Sequence, residues 1–464
     1  MSRLDVLILA AGLGTRMKSD LVKVLHRVGG RPIIEYVIDV SERLTDSRPI
    51  MVIGHQHEAV RNFCAERAEY CIQSEPLGTG HAVMQAEEML TARGATDGTL
   101  LLLSGDVPLI RPETLRRLLA VHTTEGHVVT VLTMELAKPG NYGRILRRPD
   151  GSIASIVEAR DATDEQKLVR EVNAGIYVFA EEFLLEALRG LSSNNVQGEY
   201  YLTDVVAAAT GRGLGAGAVI IDDPAEVLGV NSRAELAMVD NEFQKRTIAR
   251  LMADGVTFRD PDSVLVDDGV EIGRDTIVYP FVCLEGRTRI GTNCTIGPGA
   301  HLRDTVAGDR VAIRSGTVAD GAEIGDDSVV GPHAHLRPGT VLGRSVRIGN
   351  FVETKKAIFG DGSKASHLSY IGDAEVGNDV NIGAGTITCN FDGVSKHKTI
   401  IEAGVFIGSN SQLVAPVTIG KGAYVGAGST ITKDVPPDSL ALTRSPQIIH
   451  EGWASKKRGT SSDD

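Results

Sequence analysis

Leu9-Ala10-Ala11-Gly12-Leu13-Gly14-Thr15-Arg16-Met17, followed by Lys23, combines residue types that can hold an anion. Gly12 and Gly14 allow backbone N–H groups to approach a ligand closely and to adopt unusual dihedrals. Arg16 and Lys23 add fixed positive charge. Such a set suits a nucleoside triphosphate. It is neither a Walker A loop, which ends in Gly-Lys-Ser/Thr, nor the Gly-x-Gly-x-x-Gly of a dinucleotide site. Ser104-Gly105-Asp106 closes a second apolar run, where a carboxylate can reach a metal or simply cap the turn before Pro108. Far downstream, His367 and Tyr370 precede a segment containing Asn390 that breaks an otherwise regular repeat.

These residues need strands and turns to position them. The apolar run Leu4 to Leu9 reads as a buried parallel strand that delivers the glycine-rich turn. Up to about residue 229, short apolar strands alternate with amphipathic helices. Candidate strands are Ile50–Ile53, Thr99–Leu103, Val128–Met134 and Ala174–Phe179, and candidate helices are Gly80–Leu90 and Pro112–Thr123. The alternation indicates an α/β sheet with ligands at the carboxyl ends of its strands. Residues 232 to about 254 read as one helix that opens on the capping box Ser232-Arg233-Ala234-Glu235 and stops at Gly255. Leu236, Val239, Phe243 and Leu251 form its apolar stripe.

From about residue 264 the period changes. An aliphatic residue followed by Gly recurs at Ile290-Gly291, Ile296-Gly297, Ile324-Gly325, Val330-Gly331, Leu342-Gly343 and Ile348-Gly349, and again from Val376-Gly377 to Val425-Gly426. Spacings of six and twelve define a hexapeptide repeat and a parallel β-helix, with the aliphatic residue inside a narrow prism. Coils of this kind are left-handed, against the usual crossover rule. The period fails between Gly383 and Gly408, so Thr386 through Lys398 is expected to leave the prism as a loop. Insertions of this sort commonly carry binding groups.

At 464 residues the chain holds more than one domain. A net charge of −12 argues against nucleic acid. Cys64, Cys71, Cys283, Cys294 and Cys389 include no Cys-x-x-Cys pair, which fits a reducing cytoplasm. No signal peptide is visible and no apolar run approaches the ~20 residues of a membrane span. The tail after Trp453 reads as disordered.

The first loop resembles that of sugar-nucleotide pyrophosphorylases. With Lys355, His367-Leu-Ser-Tyr370, the run from Asn381 to Asn390 and Glu451-Gly-Trp453, nearly the whole chain resembles one bacterial family of bifunctional enzymes. These join a glucosamine-1-phosphate N-acetyltransferase to an N-acetylglucosamine-1-phosphate uridylyltransferase. The resemblance implies a Rossmann-like α/β nucleotidyltransferase domain with a mixed sheet over 1–229, a linker helix over 230–255, and a left-handed β-helix acetyltransferase domain with a C-terminal tail over 256–464. It also implies synthesis of UDP-N-acetylglucosamine, a peptidoglycan and lipopolysaccharide precursor, from UTP, acetyl-CoA and glucosamine-1-phosphate by way of N-acetylglucosamine-1-phosphate. A cytoplasmic homotrimer with neither nucleic-acid nor membrane partners is expected.

Carried over residue by residue, the nucleotide and UDP-sugar site comprises Leu9, Ala10, Ala11, Gly12, Gln73, Gly78, Thr79, Ser104 and Gly105, with Arg16 and Lys23 on the phosphates. Gly143, Glu158 and Asn173 fall at sugar positions, and Asp106 and Asn231 at Mg²⁺ positions. Asn231 also stands where a helix cap would. In the second half His367 is the acetyl-transfer base. Arg337, Lys355 and Lys396 take the sugar phosphate, and Tyr370 and Asn381 the sugar. Ala384, Asn390, Phe391, Ser409, Ala427 and Arg444 match acetyl-CoA positions. Three departures accompany the match: Val22 for the usual Pro, Leu13 for a polar residue, and Phe391 for Tyr. The rival readings are a single-activity nucleotidyltransferase with a structural β-helix, a solenoid without activity, and a zinc hydratase using His333, His335 and His367 across a trimer interface.

Overall fold

The computed structural model describes residues 3–94 and 98–459. The chain divides into two compact units, Met1–Gln244 and Lys245–Asp464.

In the first unit, Leu4–Ala10 lies parallel between Ile50–Ile53 and Thr99–Ser104, with Glu69–Ile72 beyond Ile50–Ile53. Val6, Leu7 and Ile8 are fully buried, as a strand covered on both faces requires. On the other side Glu171–Ala180 runs antiparallel to both Thr99–Ser104 and Val129–Glu135, and Ala216–Ile220 returns parallel to Val129–Glu135. The sheet is therefore mixed, as expected. Register shifts between Asn173 and Tyr177, so the long strand bulges there. A side hairpin, Arg144–Arg147 with Ile153–Val157, had no clear sequence signal. The expected helix Gly80–Leu90 is two helices, Thr79–Met84 and Glu87–Ala92, broken around Gln85 and Ala86. Sequence periodicity does not register such a one-turn offset. Pro112–Glu125 ends at Gly126, whose φ of +64° forms a left-handed cap.

The helix Arg233–Ala253 starts on the Ser232 box, in modified form. Glu235 accepts from the Ser232 hydroxyl at 3.0 Å and from the Asn231 backbone N–H at 2.9 Å. Its side chain thus fixes the residue before the box. Val239 and Phe243 pack with Met17, Val28, Ile33, Leu109 and Val230, while Ile248 and Leu251 join the core of the second unit. Gly29 closes against this helix with φ +53°, and its N–H donates to Asp240 at 2.8 Å.

The second unit is a parallel β-helix. Successive coils pair in three columns of short strands, with partners 17 or 18 residues apart: Ile277 opposite Thr295, Thr295 opposite Ala312, Val329 opposite Arg347. Inward residues such as Leu284, Ile296, Leu302, Val330, Leu336 and Ile348 have no exposed surface. The step from Asn381 to Phe406 is 25 residues. The extra length is the loop 390–398, pinched by a bridge between Phe391 and Lys396. Ile387–Cys389 stays in the wall, so the excursion is shorter than expected. The chain end also differs: Trp453–Gly459 is a short helix, with Lys457 5.2 Å from the Trp453 ring, and residues from 460 on lie outside the described region. No described helix is long and apolar enough to cross a membrane.

A Cβ at Gly29 would lie 2.1 Å from Phe243 Cε1, at a backbone angle that side chains disfavour. Gly29→Ala should therefore destabilise the first unit by ~1–3 kcal/mol. Urea denaturation followed by far-UV circular dichroism checks this; an unchanged midpoint contradicts the packing.

Candidate functional sites on the two units

In the first unit the candidate residues gather at the carboxyl edge of the parallel strands. Ala11 and Gly12 follow Leu4–Ala10, Gln73 follows Glu69–Ile72, and Ser104 ends its own strand with Gly105 and Asp106 next. Met17, 1% exposed, anchors the glycine-rich loop in the core formed with Val239 and Phe243. Arg233 holds the same turn through the Met17 carbonyl at 3.2 Å. Gly14 has φ +61°, and a Cβ there would lie 2.9 Å from the Lys23 Cβ, so glycine lets the loop close over the lysine stem. Val22 keeps φ −55°, a proline-like value, so the departure costs pre-organisation and leaves the conformation intact. Leu13 is exposed.

Lys23 Nζ donates to Asp106 Oδ2 at 2.5 Å and to Asn231 Oδ1 at 2.9 Å. Two oxygens from residues far apart in sequence thus converge on one cation. A carboxylate and an amide oxygen are hard donors of the kind Mg²⁺ takes, so the residues fit that ion. Lys23 has a further role beside its expected phosphate contact, since in this arrangement it bridges the two oxygen donors. Arg16, Ser104, Asp106, Gly143, Glu158, Asn173 and Asn231 line one cavity of about 520 Å³. Tyr142, Gly175 and Glu235 line it too, without having been singled out in the sequence. Glu235 was visible only as a helix cap. A second cavity of about 380 Å³ is lined by Gly12, Leu13, Gly14, Thr15, Val22 and His55.

Asn173 is set by the bulge: its Nδ2 donates to Tyr177 Oη at 2.6 Å, and its Oδ1 accepts from the Gly175 N–H at 2.9 Å. Gln73 Nε2 donates to the Gly78 carbonyl at 3.1 Å. Gly78, at φ +102°, admits the backbone of Tyr200 where a Cβ would lie 2.7 Å from its carbonyl oxygen. Thr79 Oγ1 accepts from the Leu202 N–H at 3.2 Å, tying this turn to the next.

In the second unit, parallel pairing stacks the candidates. Lys364 and Ala365 pair with Asn381 and Ile382, which pair with Phe406 and Ile407, then Tyr424 and Val425. Continued two residues past each pair, that register puts His367, Ala384, Ser409 and Ala427 in one column. Arg444 joins its end by donating to the Ala427 carbonyl at 3.0 Å. His367 is exposed at the end of its strand, and Leu368, at φ +48°, turns the chain to Tyr370 on the next face.

On that face Tyr370 lies opposite Glu353, and Lys355 opposite Gly372. Arg337 donates to Glu353 at 2.8 Å. The Lys396 side chain and then Arg337 push the Lys355 ammonium below its ordinary pKa, so three cations from separate segments crowd together. Asn390, nearly buried, donates to Asp373 at 2.5 Å beside this group. Glu353 and Asp373 were missed in the sequence; Glu353 stands two residues from Lys355, hence on the same side of a strand. Phe391 is exposed on the loop. His333 stacks on Phe351 at 5.7 Å, and the three histidines of the zinc reading form no metal-binding group within the described chain.

Full-length comparison settles the family. The chain is 48% identical over 460 residues to the Bifunctional protein GlmU of Geotalea uraniireducens, covering 99% of this chain and all of that one. It is 52% identical over 451 residues to the protein of that name from Syntrophotalea carbinolica, covering 97% and 96%, and 49% identical over 454 residues to the one from Trichlorobacter lovleyi, covering 97% and 98%. The chain belongs to the GlmU family. Residues 6–215 match the MobA-like NTP transferase domain, residues 261–358 the GMPPB C-terminal domain, and residues 398–433 the bacterial transferase hexapeptide. The NTP transferase match includes Arg16, Asp106 and Asn173 of the cavity but ends before Asn231 and Glu235, and the hexapeptide match covers Ser409 and Ala427.

Burial raises the Glu158 pKa, and the charges of Asp161, Asp204 and Glu199 add to it against a hydrogen bond from Thr203. The folded-state value therefore exceeds the unfolded one near 4.5. Stability from this group is full below that value and is lost as pH rises through the raised folded value. Glu158→Gln should gain stability relative to wild type at pH 7.5 and not at pH 4. Urea midpoints at the two pH values test this; an equal offset at both refutes it.

Proposed function

We propose that the first unit's cavity is the uridylyltransferase site, and the His367 column with its cation group the acetyltransferase site, of one bifunctional enzyme of UDP-N-acetylglucosamine synthesis. The enzyme is a transferase carrying nucleotidyl- and acyltransferase domains. The functional boundaries are 1–229, 230–255 and 256–464, with the linker helix between the activities. The observation that carries the reading is the convergence of Asp106 and Asn231 on a single cation beside the 520 Å³ cavity.

In uridylyl transfer a sugar-phosphate oxygen attacks the α-phosphorus of UTP, and pyrophosphate leaves. Positioning and charge neutralisation dominate such chemistry. Gly12 and the backbone of Leu9 and Ala10 cradle the nucleotide, with Ala11, Gln73, Gly78 and Thr79 against uracil. Arg16 and Lys23 neutralise the triphosphate. Ser104 and Gly105 also contact the nucleotide sugar, and Gly143, Glu158 and Asn173 orient the sugar. Asp106 and Asn231 would hold Mg²⁺, which when bound supplies further neutralisation of phosphate charge.

In acetyl transfer, Arg337, Lys355 and Lys396 grip the phosphate of glucosamine-1-phosphate, and Tyr370 and Asn381 face its sugar. His367 removes a proton from the attacking amine. The Ala384 N–H serves the oxyanion or acetyl-CoA, and Asn390, Phe391, Ser409, Ala427 and Arg444 contact acetyl-CoA. The three crowded cations support a phosphate here, which weighs against a purely structural β-helix. We read the enzyme as a cytoplasmic homotrimer, the assembly being supported by exposed Phe281, Phe351 and Trp453. Light scattering at micromolar protein should give three chain masses; one chain mass rejects the trimer.

Asp106→Ala should lose most UDP-sugar formation and keep acetyl transfer near normal. His367→Ala should lose acetyl transfer by ~10²–10⁴-fold, mainly in kcat, and retain uridylyl transfer from supplied N-acetylglucosamine-1-phosphate. Thiol release from acetyl-CoA and pyrophosphate release measure the two rates separately. Equal loss of both in either folded variant would falsify the two-site assignment.

A further inference from the structure

The first coils of the β-helix bring together three side chains that neither activity uses. Cys283 and Glu285 alternate with inward Leu284, so both face outward from one strand. In the next coil His301 lies directly opposite Cys283, and Leu302 fills the interior opposite Leu284. One ligand atom from each lies within 4.8 Å of the others. His301 Nε2 is 3.0 Å from Glu285 Oε2, and Cys283 Sγ is 3.6 Å from Glu285 Oε1. A tetrahedral Zn²⁺ with bonds of about 2.0–2.3 Å holds its ligand atoms roughly 3.3–3.8 Å apart, so side-chain rotation alone would complete the set. His301 Nε2 is shielded from water and meets Glu285 too poorly aligned for a hydrogen bond, so a small rotation is open to both side chains.

We propose that Cys283, Glu285 and His301 form a transition-metal site, with Zn²⁺ the cation that its chemistry fits. Thiolate, imidazole and carboxylate together suit a borderline-soft ion and disfavour Mg²⁺, which the oxygen pair of the first unit fits. Binding exchanges the thiol proton for the metal: the S–H bond breaks, an S–Zn bond forms, and the proton passes to solvent. Burial and the nearby Glu285 push the Cys283 thiol up to about 11, so it is protonated at neutral pH until a cation arrives. Asp267, one coil earlier, accepts from the Gly286 N–H at 2.9 Å and adds negative charge near the thiol. Arg303, opposite Glu285 in the register, makes its ion pair with Asp320 while its charge also acts on Glu285, so a metal would compete with that cation. A filled site would tie two adjacent coils and leave a fourth position for water.

The test uses the full-length protein stripped with a chelator and titrated with Co²⁺ as a spectroscopic probe. One equivalent should bind with a near-ultraviolet sulfur-to-cobalt charge-transfer band that Zn²⁺ displaces. Cys283→Ser should abolish the band. His301→Gln and Glu285→Gln, which leave the thiol in place, should weaken Co²⁺ binding by about 10- to 100-fold or more. These two variants keep the test decisive if Cys283→Ser fails to fold. Absence of the band in wild-type protein, or an unaltered titration in both His301→Gln and Glu285→Gln, would overturn the site.

Discussion

Parallel pairing brings residues distant in sequence to a common edge, and both halves of this molecule depend on it. A parallel strand cannot return by a tight turn, so the chain must travel before it can pair again. In the first unit it travels through helices, and the loops at one end of Leu4–Ala10, Glu69–Ile72 and Thr99–Ser104 become neighbours. In the second it travels once around a prism, and residues one coil apart become neighbours. Any group placed at a strand end is thereby repeated or complemented a few ångströms away. The chemistry is assembled from these edges.

Electrostatics then divides the two sites. Around Asp106 one cation faces two oxygen donors, and attraction holds the three together. Around Lys355 the free protein gathers like charges, with Arg337 tempered by Glu353 and Asn390 reaching Asp373. Like charges held close in the free state are relieved when an anion enters, so that repulsion works in favour of binding.

The repeats, the glycine-rich loop and the linker helix were legible because each has a local period or a local cap. Ile-Gly pairs announce a coil, and Ser232 with Glu235 announces a helix start, since the signal lies within a few residues. The break between Thr79–Met84 and Glu87–Ala92 was not legible, because both halves share one apolar face. The loop 390–398 was read too long, since Ile387–Cys389 keeps the wall's strand geometry without a glycine to mark it. That Asp106 and Asn231 share a site came only with the family resemblance, and that Lys23 bridges them was not legible at all. It depends on which strands are adjacent, and no local pattern encodes adjacency. Within one chain His333, His335 and His367 form no metal-binding group among the described residues, since histidines near in sequence can point from different positions on a prism.

Each coil of the prism touches little beyond the coils before and after it. Its cohesion is therefore a chain of nearest-neighbour terms, and cooperativity has a finite reach. The His367 column spans consecutive coils up to Ala427, so it exists only where that ladder is unbroken. The final strand, Leu440–Ala441, has one neighbour and marks the end from which the ladder would fray. Arg444 stands just beyond that strand and is bound back to Ala427. Opening at this end would reach the outermost member of the column first and His367 last, so breathing of the solenoid would be graded across the acetyl-transfer face instead of all-or-none.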